Sequence, residues 1–309
     1  MKQRKKIIIS LTAFCVCFFV LDYVIGLWFD NVRHNLPMDG ERTAKAEYVI
    51  NKVEADIVII GSSRAQSHYD TKVFRDSIPN MTVFNCGGDG QKFWYCDIVT
   101  NCILDRYNPK LIIWDFRLQD LDQYDENLSL LYPYFKENDY IKRRLLEREP
   151  LLKYQLWLNT YRYNGSGSRI ITASRLPKDF GKDRLGYSGH KPLKTISMVF
   201  NDMNYMAKSP DWKKVESLEK TLMRAKEKGI PVVLSISPVV NRITGKNTTI
   251  ETIKSVCNKH NIKFIDDSQL EGFAGDPSKA YDSSHLNSEA AAEFTRILIG
   301  QLKKEGVCK

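Results

Sequence analysis

Two neighbouring serines and a distant Asp–His pair are the residues of this chain best suited to nucleophilic chemistry. Ser62 and Ser63 follow Gly61, and four β-branched apolar residues at 57–60 precede that glycine. Such a run predicts a strand buried on both faces, and the polar segment after it can begin a helix. At a strand-to-helix turn a hydroxyl stands beside free backbone N–H groups, which can stabilise a developing oxyanion. The same residues also fit a tight turn that has no chemical role.

The distant pair is Asp282 and His285, three residues apart on the loop before the last predicted helix. An Asp at this spacing can bind one ring nitrogen of the His and fix the other as the acceptor of a hydroxyl proton. A purely structural alternative is that Asp282 caps a nearby backbone N–H. His68, five residues after Ser63, is a second candidate base, although its position favours the surface of the following helix.

These residues form blocks that resemble those of the SGNH (GDSL-type) hydrolases. Gly61-Ser62-Ser63 is similar to the first block, with Ser62 in place of the usual Asp. Residues 85–91 (Asn-Cys-Gly-Gly-Asp-Gly-Gln) resemble the glycine block that supplies an oxyanion-hole N–H, and residues 282–287 (Asp-Ser-Ser-His-Leu-Asn) resemble the terminal Asp-x-x-His block. The three blocks occur in the family's order and span most of the chain after its apolar N-terminal segment.

The resemblance implies a catalytic triad. The family's serine is the third residue of its Gly-x-Ser block, which favours Ser63 over Ser62 as the nucleophile. His285 is then the base, and Asp282 is the residue that orients it. Together these residues would carry out acyl transfer through an acyl-serine.

The resemblance also implies an oxyanion hole, and here the sequence departs from the family pattern. The N–H groups of Ser63 and Gly90 match two family donors. The third is an Asn in a Gly-x-Asn-Asp block after the third strand, but residues 111–117 (Leu-Ile-Ile-Trp-Asp-Phe-Arg) contain neither Gly nor Asn. Arg117 is the candidate substitute, unless two donors suffice. The loss of one such donor can slow a reaction roughly a hundredfold or more.

Short apolar strands alternate with amphipathic helices from residue 55 onward. Strands are predicted at 56–60, 82–85, 111–116, 231–237 and 263–266, and helices near 64–75, 91–108, 212–228, 249–260 and 288–304. The alternation predicts a parallel, doubly wound sheet, and the resemblance implies a three-layer α/β/α fold of flavodoxin-like type. Such sheets place their sites at the carboxyl ends of the strands, where all three blocks fall.

We expect three segments: a cytoplasmic tip and transmembrane anchor at 1–30, a linker and helix at 31–54, and an α/β domain at 55–309. Residues 118–210 interrupt the alternation and are rich in Tyr, Trp, Arg and Lys. This insertion into the α/β domain suits a lid or substrate platform, or an ordinary helical subdomain whose aromatic residues pack in its own core.

The N-terminal segment predicts attachment to a membrane. Four cations among residues 1–6 precede an apolar run at 7–29, which is interrupted late by Asp22. The run is long enough to span a bilayer, and the flanking cations favour an N-terminus that stays in the cytoplasm. The rest of the chain would then be extracytoplasmic, in the periplasm. A cleaved signal peptide is the competing interpretation, but no convincing small-x-small cleavage site follows the run.

Composition narrows the classes of partner. The net charge is +9, yet the cations are scattered, so we expect no nucleic-acid partner. Seven cysteines do not make a disulfide framework in a chain of 309 residues, and no metal site or cofactor is expected. Bridges between Cys86 and Cys96, or Cys86 and Cys102, stay open.

The anchor and the blocks together resemble bacterial proteins that add or remove acetyl groups on cell-envelope polysaccharides. The resemblance implies a serine esterase or O-acetyltransferase whose substrate is an acylated polysaccharide or another ester, and whose partner is a multi-pass membrane acyltransferase. The degenerate third block leaves open a catalytically inactive glycan-binding or scaffolding subunit, and a lipase or thioesterase facing the bilayer is a third alternative.

Overall fold

The computed structural model describes residues 2–192 and 202–308, and within them seven strands. They are β1 (Ile57–Ile60), β2 (Val83–Asn85), β3 (Leu111–Asp115), β4 (Met203–Tyr205), β5 (Val232–Ile236), β6 (Ile243–Gly245) and β7 (Lys263–Asp266). Five of them form one parallel sheet in the order β2-β1-β3-β5-β7, and the short β4 and β6 pair separately. The chain therefore has the parallel doubly wound sheet that the sequence predicts.

Eleven α-helices accompany the strands in the described residues. They are α1 (Lys2–His34), α2 (Arg42–Asn51), α3 (Ser63–His68), α4 (Thr71–Ser77), α5 (Phe93–Arg106), α6 (Asp139–Arg148), α7 (Leu152–Gln155), α8 (Gly167–Ser174), α9 (Trp212–Glu227), α10 (Thr248–His260) and α11 (Ser288–Lys304). Short 3₁₀ helices lie at Ser129–Lys136, Tyr161–Tyr163 and Pro277–Lys279.

Both faces of the sheet are covered, which explains why its strands are apolar throughout. In β1, Val58 and Ile60 pack toward α2, α5, α9 and α10, whereas Ile57 and Ile59 pack toward α4 and α11. Every residue of β1 is almost completely buried. The result is the expected three-layer α/β/α architecture, preceded by one long apolar helix.

The predicted helix at 64–75 is in fact two helices. Tyr69 has an extended backbone between α3 and α4, and Asp70 begins α4 by accepting a hydrogen bond from the Lys72 N–H at 2.8 Å. The buried Asn85 amide donates to the carbonyls of Ala65 (2.7 Å) and Tyr69 (3.0 Å), which stabilises this break. Periodicity alone missed it because the apolar spacing continues across the break.

The segment between β3 and α9 holds α6, α7, α8, β4 and two of the 3₁₀ helices, and its residues 193–201 lie outside the described part of the chain. Its β4 pairs with β6, with Met203 opposite Ile243.

Helix α1 continues through His34, four residues into the segment that we expect to be a linker. The seven cysteines all lie in described residues and are free thiols, so neither of the bridges considered for Cys86 is present.

Candidate active site

The turn between β1 and α3 separates the two serines by role. Gly61 has φ +153°, and a Cβ there would lie 2.7 Å from the Cβ of Ala65 and 2.8 Å from the carbonyl oxygen of Asp115. Ser62 is buried, and its hydroxyl caps α3 by accepting from the Arg64 N–H at 3.3 Å. Ser63 is only partly buried, at the first position of the helix, so its hydroxyl is the one available for chemistry.

The structure brings Ser63, His285 and Asp282 together, although the serine and the histidine are 222 residues apart in sequence. The Nε2 of His285 lies 2.8 Å from the hydroxyl oxygen of Ser63. On the other side of the ring, Nδ1 lies 2.8 and 2.9 Å from the two carboxylate oxygens of Asp282. In this arrangement Nδ1–H donates to the carboxylate and Nε2 can accept the serine proton.

Local hydrogen bonds keep Asp282 ionised. Partial burial acts to raise the pKa of Asp282, but hydrogen bonds from the His285 ring and the Ser284 N–H outweigh it and hold that pKa below its usual range. The backbone N–H groups of Ser284 (2.7 Å) and His285 (2.9 Å) both donate to this carboxylate. The capping role considered for Asp282 and its contact with the histidine ring therefore occur together.

The glycine block lies against the turn that carries the nucleophile. The Gly88 N–H donates to the carbonyl of Gly61 at 3.2 Å, and the Gly87 N–H donates to the Asn85 side chain at 3.0 Å. Gly90 has φ +72°, and neither its N–H nor that of Ser63 has a hydrogen-bond acceptor among residues 2–192 and 202–308. These two N–H groups remain the predicted oxyanion donors.

Arg117 is engaged elsewhere. Its guanidinium makes an ion pair with Asp120 at 2.5 Å and donates to the Tyr124 hydroxyl at 3.1 Å. Within the described residues we find no contact between Arg117 and either Ser63 or His285. To act as an oxyanion donor, as predicted, Arg117 would have to leave Asp120.

His68 is buried, not at the surface of α3 as expected. Its Nε2 accepts the N–H of Leu286, the residue after His285, at 3.0 Å, and its Nδ1 lies 2.9 Å from the Ser237 hydroxyl. Because Nε2 is an acceptor, the proton is assigned to Nδ1. Burial and the nearby Arg64 guanidinium hold the pKa of His68 well below its ordinary value. His68 is thus suited to positioning the His285 loop rather than to acting as a base.

His190 is a neighbour that the sequence analysis missed. Its ring stacks on Tyr281 with 4.1 Å between centroids and lies 5.5 Å from the His285 ring. Its carbonyl accepts the N–H of Ser288 at 2.7 Å, so this part of the insertion is tied to the start of α11. No motif surrounds His190, and only the topology brings it to the site.

A polar cavity of about 220 Å³ adjoins the glycine block. Gln66, Gly88 and Asp89 line it on the side of the nucleophile turn. Its lining also includes three cationic side chains, Arg42, Lys45 and Arg169, and the carboxylates of Asp39 and Glu41. Burial lowers the pKa of Lys45 to about 8.

Comparison with known proteins yields distant structural likenesses. No protein-family model matches this sequence, and no curated protein matches it. A candidate acylhydrolase from Bacteroides fragilis is similar over 81% of this chain and 87% of its own, with 14% identity and a TM-score of 0.41. A gut microbial diltiazem-metabolizing enzyme (14% identity, TM-score 0.35) matches 79% of this chain and 46% of its own. A two-domain esterase active on acetylated mannans (11% identity, TM-score 0.38) matches 88% of this chain and 56% of its own.

Proposed function

We propose that this chain is a serine esterase or O-acyltransferase of SGNH type that acts on an acylated glycan of the cell envelope. The observation that carries the proposal is the hydrogen-bonded series from Ser63 through His285 to Asp282, with 2.8 Å at each contact. In this series His285 takes the proton from Ser63 as its oxygen attacks an ester carbonyl. The N–H groups of Ser63 and Gly90 then hold the tetrahedral oxyanion.

The cavity beside the glycine block is lined by Gln66 of α3 and by Gly88 rather than by Ser63 or His285 themselves, and its polar walls favour a hydroxylated substrate over a long acyl chain. Its walls carry both cations and carboxylates, among them Arg42 and Asp89, which form an ion pair at 2.7 Å. Such walls offer hydrogen-bond donors and acceptors to sugar hydroxyls, whereas an alkyl chain would have to desolvate them. The acyl group would pass from Ser63 to water or to a sugar hydroxyl.

The location is part of the same proposal. Helix α1 is long and apolar enough to cross a membrane. With four cations among residues 1–6, the N-terminus would remain in the cytoplasm and the α/β domain would face the periplasm. A multi-pass membrane acyltransferase would then be a suitable source of acyl groups, and an acylated polysaccharide the substrate or product.

Covalent labelling of the full-length protein with a fluorophosphonate probe in detergent micelles tests the nucleophile. We expect the wild type and Ser62→Ala to be labelled, because Ser62 only caps α3. Ser63→Ala and His285→Ala should lose the label. The labelled peptide should contain Ser63.

Absence of label on a correctly folded wild type would contradict the hydrolase mechanism. It would favour the alternative, an inactive glycan-binding or scaffolding subunit of an acyltransferase complex. The engagement of Arg117 with Asp120 is the observation that keeps this alternative in view, since it leaves two oxyanion donors. Glycan binding that is unaffected by Ser63→Ala would support it.

A further inference from the structure

The C-terminal third of α1 is part of the folded domain. Asn159 and Thr160 donate four hydrogen bonds to the carboxylate of Asp22, at 2.6–2.9 Å. One turn later Gly26 lies against Asn159, so closely that a Cβ on Gly26 would be 2.3 Å from the Asn159 Cβ. Asp30 then forms an ion pair with Arg162 at 2.8 Å. The insertion is therefore fixed to one side of the apolar helix.

The length of the apolar helix sets where the membrane surface must lie. At about 1.5 Å per residue, residues 7–21 span only roughly 22 Å, whereas residues 7–28 span roughly 33 Å. The hydrocarbon core of a bilayer is about 30 Å thick. The side of α1 away from the insertion stays apolar and exposed through Tyr23, Leu27 and Trp28. A core of that thickness that begins at residue 7 ends near residue 27, so Asp22 lies roughly 8 Å inside its edge. The part of the insertion beside Asp22 therefore lies just inside the bilayer interface.

An exposed apolar face of the insertion occupies this level. Leu151, Tyr154 and Trp157 are 70%, 67% and 61% exposed, while Leu152 and Leu156 between them are buried in the core. The three exposed residues follow a spacing of three around α7 and therefore share one side of it. Hereafter Leu151, Tyr154 and Trp157 are called the apolar face.

The apolar face is continuous with the helix that would enter the bilayer. The ring of Trp157 packs edge-on against Phe19, with 5.5 Å between centroids. Phe19 lies about one turn before Asp22, within the apolar run of α1. Lys153 lies 4.8 Å above the Tyr154 ring, so a cation accompanies the aromatic side chains. Trp and Tyr with a flanking Lys is the composition that favours the membrane interface.

We propose that the apolar face inserts into the interface of the leaflet around the C-terminal end of α1. The inference rests on the membrane anchorage proposed above and adds a second contact with lipid. With α1 as its only contact with lipid, the whole protein could still tilt in the bilayer. A second contact restricts that tilt and so sets the orientation of the α/β domain relative to the bilayer.

Tryptophan quenching tests the contact in full-length protein reconstituted in nanodiscs of phosphatidylcholine and phosphatidylglycerol, part of which carries bromine near the top of the acyl chain. Trp157→Phe should lose quenchable emission and leave only what Trp28 supplies. Trp212→Phe, which removes an exposed indole from α9, should leave the quenchable emission unchanged.

Trp28→Phe separates membrane anchorage by α1 from insertion of the apolar face. If Trp28→Phe lowers the quenchable emission and Trp157→Phe does not, the helix is in the bilayer and the apolar face is not, which overturns the inference. If neither lowers it, the anchorage itself fails.

A second measurement does not depend on fluorescence. Tyr154→Cys in nanodiscs should react with a membrane-impermeant maleimide far more slowly than Lys304→Cys, which lies on α11 across the sheet from the insertion. Equal rates would overturn the inference. Protection that appears in cells but not in purified nanodiscs would also overturn it, because the face would then be covered by a protein.

Discussion

At the scale of single residues, Asp282 combines a structural role in its loop with a role in orienting His285. Its carboxylate accepts the His285 ring N–H and two backbone N–H groups, so it both builds the loop and selects the tautomer. In Asp282→Asn the oxygen can still accept the backbone N–H groups, but the amide NH₂ would donate to Nδ1. Nε2 would then carry the proton and could no longer accept one from Ser63.

We therefore expect Asp282→Asn to fold normally and to react with a fluorophosphonate roughly 10⁴ times more slowly than the wild type. The check is the rate of labelling in a time course, with thermal unfolding as the control for folding. A rate within a few-fold of the wild type would show that Asp282 serves the loop only.

His68 predicts a pH dependence of stability. Its pKa in the folded chain is well below 6.5, since burial and the positive charge of the nearby Arg64 guanidinium disfavour protonation. As the pH falls below about 6.5 the unfolded chain binds this proton and the folded chain does not, so stability decreases by at most about 1.4 kcal/mol per pH unit. Above that pH the contribution is fully present.

His68→Gln should remove this part of the acid sensitivity, because the Gln amide oxygen can accept the Leu286 N–H without titrating. The measurement is thermal unfolding at pH 7.5 and 5.5 for wild type, His68→Gln and His260→Gln. His260 lies near the surface and pairs with Glu219, so its variant serves as the matched control. An unchanged difference between the two pH values in His68→Gln would contradict the assignment.

The sequence predicted the triad residues but not their surroundings. Ser63, Asp282 and His285 could be named as candidates because each belongs to a short motif: Gly-Ser-Ser directly after an apolar strand, and Asp-x-x-His just before the last helix. His68 and His190 could not, because burial and ring stacking depend on which loops meet across the sheet edge. Arg117 was found as a charged residue near the site, but its partner Asp120 follows from the shape of the loop and not from any pattern.

At the scale of elements, the strands were predictable and the docking of α1 was not. The five apolar runs that form the main sheet match β1, β2, β3, β5 and β7 within one or two residues, since burial on both faces leaves a strong signal. In the sequence, Asp22 is only a polar residue that interrupts a predicted membrane-spanning segment. In the structure it is the acceptor for a segment 137 residues away, which no local pattern reveals.

Gly26 makes the docking of α1 testable. Alanine is a better helix former than glycine by about 1 kcal/mol. However, a Cβ at residue 26 would overlap the Asn159 side chain, and such overpacking costs about 1–3 kcal/mol. We expect Gly26→Ala to lower the unfolding temperature in nanodiscs, while Ile25→Ala, whose exposed side chain faces away, does so much less. A rise in the unfolding temperature of Gly26→Ala would show that α1 does not pack on the insertion.

At the scale of the whole molecule, α1 and the α/β domain pack as one body. Buried charges cross the junction: Arg33 pairs with Glu47 of α2 and with Glu137, and Arg162 of the insertion pairs with Asp30. A tether between independent parts would carry polar residues that are exposed to solvent. This junction instead resembles a domain core, so α1 and the candidate site are held in a fixed relation to each other.

A chain that starts at residue 31 should consequently be less stable than the full protein, even though it keeps the sheet and the triad. Removal of residues 1–30 takes the partner Asp30 away from Arg162, whose side chain is only 3% exposed in the full protein, and also removes the packing of Gly26 against Asn159. The donors at Asn159 and Thr160 lose Asp22 as well, but they become accessible to water. A chain that starts at residue 7 keeps all these contacts and should unfold at the temperature of the full protein in the same detergent. Equal unfolding temperatures for the chain starting at residue 31 and the full protein would show that the domain is complete without its helix, and that α1 is only a tether.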